Sequence, residues 1–190
     1  LDGTTVYALD LPGHGDSEGN GFTSIEAYRD NILSFANALD LPSFVAVGHS
    51  MGGAIALSLA LHAPERMAGL VLLGTAAALP VAPSLLDGLK NDFPGSMTGM
   101  ISWIFADSAD EQVRDEYRRQ LLALDPNLVL GDFLACNGFD VQDSLPDLQT
   151  PTLIICGEAD EMTPADLSQS MQDRLPDSKL HLINDTGHMV

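Results

Sequence analysis

Positive charge is scarce in this sequence: eight lysine and arginine residues stand against 27 aspartate and glutamate residues, for a net charge of −19. So acidic a chain repels a nucleic-acid backbone and an anionic membrane, and we expect neither as a partner. The excess of acidic residues has two interpretations. It serves as a solubilising surface or, since only two lysines occur, it reflects a salt-adapted source.

Cysteines and long apolar runs are also scarce. The two cysteines, Cys136 and Cys156, are too few for a disulfide framework and fit a reducing cytoplasm. No run of 18 apolar residues occurs, and the first 20 residues show no basic segment followed by an apolar one. We therefore expect a cytoplasmic protein without a membrane span or a secretory signal.

Apolar segments alternate with helical patterns along most of the 190 residues, of which 45% are hydrophobic. The patterns predict strands over 4–9, 44–47, 68–73, 152–156 and 178–183, with helices over 25–40, 51–61 and from 164 to about 175. Such alternation indicates an α/β protein with a mostly parallel sheet and flanking helices. Because the strands are apolar along their length, we expect the sheet to be buried on both faces.

The alternation breaks between residues 76 and 146, where helix-like sequence is interrupted by proline and glycine. We interpret 76–146 as a helical insertion into a core formed by 1–75 and 147–190. The sequence from Ser108 to Glu111 resembles a capping box, which places a helix start there. An apolar cluster that includes Met100, Trp103 and Ile104 packs against the core or lines a pocket for an apolar substrate, and the sequence leaves both open.

The pentapeptide Gly48-His49-Ser50-Met51-Gly52 lies between an apolar strand and a helix-forming run. A strand that turns into a helix at G-x-S-x-G is a nucleophile elbow, which exposes the serine hydroxyl at a strained turn. We expect Gly48 and Gly52 to be required because a Cβ atom would collide where strand and helix meet. The sequence thus predicts Ser50 as a nucleophile.

A nucleophilic serine needs a base, usually histidine, and a carboxylate that orients this base. Of the five histidines, His188 is the best candidate because it follows the last predicted strand, at the sheet edge where α/β proteins collect active residues. Asp160 follows the strand 152–156 at the same edge, and we favour it over Glu158, Glu161 and Asp185. The order Ser, Asp, His is that of α/β hydrolases.

Four segments together resemble the signature motifs of the α/β-hydrolase superfamily, in its cap-bearing lactonase, esterase and C–C hydrolase branch. These segments are Leu9–Ser17 (LDLPGHGDS), Gly48–Gly53 (GHSMGG), Gly157–Asp160 (GEAD) and Gly187-His188. The resemblance implies that Ser50 is the nucleophile, His188 the base, Asp160 the orienting acid and the Met51 N–H an oxyanion donor. It also implies that 76–146 is the cap, that His14 is a structural residue near the pocket, and that no metal or organic cofactor is needed. His49, Met100, Trp103 and Ile104 are candidate substrate contacts.

The chain departs from the family pattern at both ends. The family normally has several strands before the one predicted at 4–9, and a helix after the histidine, so we expect a fragment. The strand missing from the middle of the sheet would leave either direct pairing of 4–9 with 44–47 or an unpaired edge that invites aggregation. A loop that supplies the second oxyanion N–H is also missing, so we expect weak or no activity from this piece.

The sequence predicts a serine hydrolase that cleaves a small, largely apolar carboxylic ester or lactone through an acyl-enzyme on Ser50. An acyltransferase or C–C bond hydrolase with the same three residues remains an alternative, as does a non-catalytic binding protein of the same fold. The expected partner is a small-molecule substrate, and the oligomeric state is open.

Overall fold

The sheet of the protein contains four parallel strands in the spatial order β1-β2-β3-β4. A computed structural model describes residues 3–190, so the first two residues of the predicted core lie outside the described part. The strands are β1 (Phe44–His49), β2 (Met67–Leu73), β3 (Thr152–Gly157) and β4 (Ser178–Ile183). These strands lie where the apolar segments predict them, and the α/β class with a parallel sheet is confirmed.

Seven α-helices and two short 3₁₀ helices precede or connect the strands in the part of the chain that the structure describes. The α-helices are α1 (Ile25–Ala38), α2 (Met51–His62), α3 (Pro83–Asn91), α4 (Phe93–Ile104), α5 (Glu111–Leu122), α6 (Pro126–Asn137) and α7 (Ala165–Arg174). The 3₁₀ helices are Pro64–Arg66 and Gln142–Asp147. Within residues 3–190, no helix combines the length and the apolar character that a membrane crossing requires.

The main hydrophobic core lies on one face of the sheet. Leu57 of α2 and Met171 of α7 are buried together with Leu72 and Ile154 of the central strands. On the other face, the strand register places Val47, Val71 and Leu153 side by side, and Val47 is 67% exposed. The prediction that the strands are buried on both faces is therefore wrong for the described chain, because α2 and α7 pack into the same core.

The predicted strand at residues 4–9 does not form. Val6 and Tyr7 are exposed, although the Tyr7 ring contacts Phe35 of α1 with 5.6 Å between ring centroids. A strand needs a neighbour to accept and donate its backbone hydrogen bonds, and β1 pairs only with β2 in the described residues. Of the two arrangements expected from the sequence, direct pairing is wrong and the unpaired edge of β1 is observed.

Helices α3 to α6 lie in the segment 76–146 and have a hydrophobic cluster of their own, to which Leu89, Met97 and Val129 belong. At its two ends, Ala78 and Asp140 form an isolated antiparallel bridge. Helix α6 packs against α3 and also contacts α2. The helical nature of the segment is as predicted, whereas its assignment as a separate cap stays a prediction, and we refer to it as the helical segment.

The predicted capping box at Ser108–Glu111 does not start α5 in the expected way. The N-cap is Asp110, whose side chain accepts a hydrogen bond from the Gln112 N–H at 2.7 Å. The Ser108 hydroxyl instead donates to the carbonyl of Asp185, near the end of the chain, at 3.2 Å. A carboxylate two residues closer to the helix is the better acceptor for its first N–H groups, which leaves Ser108 free for this tertiary contact.

Candidate active site

Ser50 occupies a strained turn between β1 and α2. Its backbone has φ +53° and ψ −118°, values that a residue with a side chain rarely adopts. Hydrogen bonds from outside the turn hold it in place, among them one from the Ser50 N–H to Leu73 O at 2.9 Å and one from the Thr75 hydroxyl to Ser50 O at 2.8 Å. Strain of this kind costs about 1–3 kcal/mol and is typical of functional sites.

The glycines around Ser50 have different roles. A Cβ atom at Gly48 would overlap the carbonyl of Gly52, so Gly48 is required for the close approach of strand and helix. At Gly52 a Cβ atom would meet nothing within 4 Å, so the predicted collision there is wrong. The crowded second position is Gly53, where a Cβ atom would lie 2.5 Å from Thr75 Cγ2.

Asp160 and His188 form a buried pair with 2.9 Å between Asp160 Oδ2 and His188 Nδ1. The loop after β3 holds Asp160 through further donors: the N–H groups of Met162 and Thr163 to Oδ1 at 2.8 Å, and the Thr163 hydroxyl to Oδ2 at 2.9 Å. Burial opposes ionisation of Asp160, but the bonds from His188 and Thr163 outweigh it and lower the pKa of this carboxyl. Asp160 is therefore ionised beside the ring.

The loop that carries His188 is fixed from two sides. The His188 N–H donates to the carbonyl of Ile104 at the end of α4, at 2.7 Å. On the other side, His49 Nε2 lies 2.8 Å from His188 O, which accepts its hydrogen bond. Burial lowers the pKa of His49, with the bond to the His188 carbonyl acting in the opposite direction. A neutral His49 thus adjoins the His188 ring, at 4.6 Å between ring centroids.

A cavity of about 250 Å³ lies between the sheet edge and the helical segment. Among the residues named from the sequence, those that border it are His14, His49, Ser50, Met100, Ile104 and His188. Its remaining wall is mostly apolar, with Met97, Leu121, Leu128, Phe133 and Met162. Asp160 lies behind His188, and Met51 is the first residue of α2, next to Ser50.

Trp103 does not border this cavity, contrary to the sequence-based expectation. It is 43% exposed, whereas Met100 and Ile104 on the same helix are buried. Residue 103 is only about 60° around the helix from residue 100 but about 100° from residue 104, so it lies at the margin of the face that these two share. The apolar patch in the sequence therefore divides between the cavity side and the surface.

Two residues near the site were not predicted from the sequence. Asp132 borders the cavity, and the Thr163 hydroxyl donates to Asp160. Asp132 borders the cavity with His14, and His14 Nε2 lies 2.9 Å from Asp132 Oδ2. No local pattern marks this contact, because the two residues are 118 positions apart. The sequence Thr163-Pro164 predicts an N-cap followed by proline at the first helical position, but α7 begins at Ala165 with Pro164 at the cap.

This arrangement combines a serine hydroxyl, an imidazole and an ionised carboxylate at one side of an apolar cavity. None of the hydrogen bonds found within residues 3–190 joins Ser50 Oγ to His188, and such contacts often tighten only when substrate binds. The same residues contain no cluster of three or more histidine, cysteine, aspartate or glutamate side chains that could hold a metal ion. Chemically, the site can support proton transfer to and from a serine nucleophile.

Comparisons with known proteins agree with this picture. The model of a family described as the alpha/beta hydrolase family matches residues 1–190. A pimeloyl-[acyl-carrier protein] methyl ester esterase of Aromatoleum aromaticum is 29% identical, over 98% of this chain and 81% of the relative. A solved thermophilic esterase is 35% identical with a TM-score of 0.83, covering 95% of this chain and 72% of that one. Another, from Thermogutta terrifontis, is 30% identical with a TM-score of 0.83, covering 94% and 71%.

Proposed function

Since the chain belongs to the alpha/beta hydrolase family, we propose that it is a serine hydrolase that cleaves a small, largely apolar carboxylic ester or lactone. The observation that carries the proposal is the buried Asp160–His188 hydrogen bond beside Ser50, at the wall of an apolar cavity. The esterase names of relatives support ester hydrolysis as the reaction class.

In the proposed first step, Ser50 Oγ attacks the ester carbonyl while His188 Nε2 takes its proton. An ionised Asp160 beside Nδ1 keeps the proton of the neutral ring on that nitrogen, so that Nε2 presents its lone pair to the serine. The charge that develops on the carbonyl oxygen is stabilised by the Met51 N–H and the N-terminus of α2. His188 then donates its proton to the departing alcohol, which leaves an acyl group on Ser50.

In the proposed second step, His188 takes a proton from water, the resulting hydroxide attacks the acyl group, and Ser50 leaves with the proton returned to it. An alcohol in place of water at this stage would make the protein an acyltransferase. Chromatographic analysis of the products in the presence of an alcohol therefore distinguishes these two outcomes of one mechanism.

The cavity favours a substrate with an apolar acyl or alcohol group of modest size. Its wall from the helical segment is mostly apolar, with methionine, leucine, isoleucine, valine and phenylalanine side chains beside Tyr117 and Asp132, and its volume is about 250 Å³. Apolar walls of this kind favour burial of hydrocarbon by about 0.8 kcal/mol for each CH₂ group. We accordingly take the helical segment 76–146 to act as a cap over the reacting ester.

Labelling with a fluorophosphonate probe tests the proposal, since the probe reacts with an activated serine. We expect the protein to be labelled and Ser50→Ala to be unlabelled, and we expect any weak hydrolysis of p-nitrophenyl butanoate to be lost in this variant. Ser170→Ala is the matched control, because Ser170 is exposed on α7 and remote from the cavity lining. Labelling that persists in Ser50→Ala would contradict the assignment, and absence of both labelling and turnover would favour a binding protein.

A further inference from the structure

A second polar group lies in the cavity wall, apart from the serine, histidine and aspartate of the proposed reaction. It consists of Asp132 on α6 and His14 in the loop before α1, and the fully buried Tyr28 of α1 contacts Asp132 from behind the wall. The Tyr28 hydroxyl donates to Asp132 Oδ1 at 2.6 Å, and His14 Nε2 donates to Asp132 Oδ2 at 2.9 Å. Each carboxylate oxygen is thus held by a donor from a different part of the core.

These contacts leave some hydrogen-bond acceptor sites of the Asp132 carboxylate unfilled. An ionised carboxylate offers about four lone-pair sites, and the described residues supply two hydrogen bonds to the Asp132 side chain. This side chain is 18% exposed and borders the same cavity as Ser50. Because the adjoining wall is apolar, a hydrogen-bond donor that fills the remaining sites has to come from water or from a bound molecule.

Neighbouring groups respond to a negative charge at Asp132. Burial, together with the hydrogen bond to Asp132, raises the pKa of Tyr28, so this phenol stays protonated and remains a donor. Burial and the charge of Asp132 likewise raise the pKa of Cys136 to about 12. Holding a charge at the edge of an apolar cavity is unfavourable unless hydrogen bonds compensate it.

His14 indicates which kind of donor fits. Its Nδ1 lies 3.2 Å from the carbonyl of Pro12, and its Nε2 lies 2.9 Å from Asp132. The carboxylate oxygen of Asp132 only accepts, so a His14 N–H is the donor in this contact. A neutral hydroxyl can donate to the remaining sites in the same way, whereas a cation is costly to desolvate beside the apolar wall.

We propose that Asp132 is a specificity-determining residue that accepts a hydrogen bond from a hydroxyl group of the substrate, away from the ester carbonyl. His14 and Tyr28 are positioning residues that fix the carboxylate at the cavity wall. This inference rests on the proposed function, since it concerns the substrate of the Ser50 reaction. The preferred substrate is accordingly a hydroxylated ester rather than a purely hydrocarbon one.

Matched esters test this with the unmodified protein. Hydrolysis of methyl hexanoate is compared with that of analogues carrying a hydroxyl on the third or on the terminal carbon of the acyl chain. We expect at least one hydroxylated ester to be favoured by about 10-fold or more in kcat/KM, because a buried acceptor left unfilled penalises the analogue that lacks the donor. A fourth ester, with a terminal ammonium group, separates a neutral donor from a cation.

Variants then assign the preference to Asp132. In Asp132→Leu the preference for the hydroxylated ester should disappear or reverse, and in Asp132→Asn, which keeps one acceptor oxygen, it should fall. Asp87→Asn, on the exposed face of α3, is the matched control and should leave the ratio unchanged. Fluorophosphonate labelling of Ser50 in each variant shows that the site remains assembled.

The outcomes are separable. Equal turnover of the four esters by the unmodified protein, or a preference for the ammonium ester, would overturn the inference while leaving the hydrolase intact. An Asp132 variant that hydrolyses all esters more slowly by the same factor would also overturn it. Asp132 would then be a structural residue that connects the helical segment to the core. Failure to hydrolyse any ester, together with absence of labelling, would instead remove the proposed function and this inference with it.

Discussion

At the scale of single residues, Thr163 illustrates which contacts of the site can be predicted from the sequence and which cannot. The loop after β3 was predicted to bring Asp160 towards His188, and the two side chains lie 2.9 Å apart. The hydroxyl of Thr163 was expected to cap a helix but contacts Asp160 instead. A threonine before a proline can either cap a helix or donate its hydroxyl to another acceptor. Here the buried position of Asp160 determines that the hydroxyl donates to the carboxylate. Asp132 had no sequence signal, since its partners come from distant parts of the chain.

Replacing Thr163 by valine keeps the shape of the side chain but removes the hydroxyl donor from Asp160. We expect a loss of about 1–3 kcal/mol in the free energy of unfolding at neutral pH, measured by urea denaturation. The folded pKa of Asp160 is lowered, so its stabilisation is complete above the unfolded value of about 3.9 and is lost as the pH falls through the folded pKa. The difference between variant and parent should therefore shrink in acid.

Thr163→Ser is the control for this experiment, because it keeps the hydroxyl and loses only a methyl group. It should retain most of the pH-dependent stabilisation. Equal destabilisation of the serine and valine variants at every pH would show that the methyl group matters and that the bond to Asp160 does not.

At the scale of elements, the apolar patterns located all four strands of the sheet but predicted a fifth at residues 4–9 that does not form. An apolar sequence rich in β-branched residues indicates that a segment favours the extended conformation. A strand forms, however, only when a neighbouring strand pairs with it. The same limit applies to burial on both faces, because the composition of a strand does not reveal which helices will cover it. The helices predicted over 25–40, 51–61 and 164–175 form, to within a few residues, as α1, α2 and α7.

The exposed edge of β1 carries a prediction about association. Val45 and Val47 are 54% and 67% exposed on a strand whose outer edge is unpaired in the described residues. We expect Val47→Lys to reduce concentration-dependent association, measured by light scattering, because a charge on an edge strand opposes strand pairing between molecules. Its effect on thermal stability should be within about 0.5 kcal/mol, since the side chain is at the surface.

Val113→Lys provides the comparison, because Val113 is 53% exposed on α5 and lies on no sheet edge. It adds the same charge and removes a similar apolar area. Should both variants reduce association equally, net charge rather than the edge of β1 would be responsible.

At the scale of the whole molecule, the net charge of −19 dominates the electrostatics. Acidic residues outnumber basic ones by more than three to one, so most carboxylates have no cationic partner to offset their mutual repulsion. The composition of a chain fixes this property without any knowledge of its fold. The composition is compatible both with a solubilising surface and with a salt-adapted source. The dependence of stability and activity on ionic strength distinguishes the two.

Raising the salt concentration should stabilise the protein. Between about 0.01 M and 0.15 M the screening length falls from about 30 Å to about 8 Å, which removes repulsion across the surface. We expect Tm to rise over this range in sodium chloride, and to change less in sucrose at matched osmolality. A Tm that is flat or falls with salt would refute the dominance of repulsion. A further rise of activity into molar salt would favour the salt-adapted source.

The contact between Ile104 and His188 couples two parts of the molecule that the sequence treats separately. The carbonyl at the end of α4 accepts the N–H of His188 at 2.7 Å, and a Cβ atom on the preceding Gly187 would lie only 2.6 Å from the same carbonyl oxygen. A ligand that shifts the end of α4 therefore also shifts the loop that carries His188, and by reciprocity a displaced loop alters the binding of that ligand. A change in the helical segment would then be read out at the sheet edge, with no substitution at Ser50, Asp160 or His188.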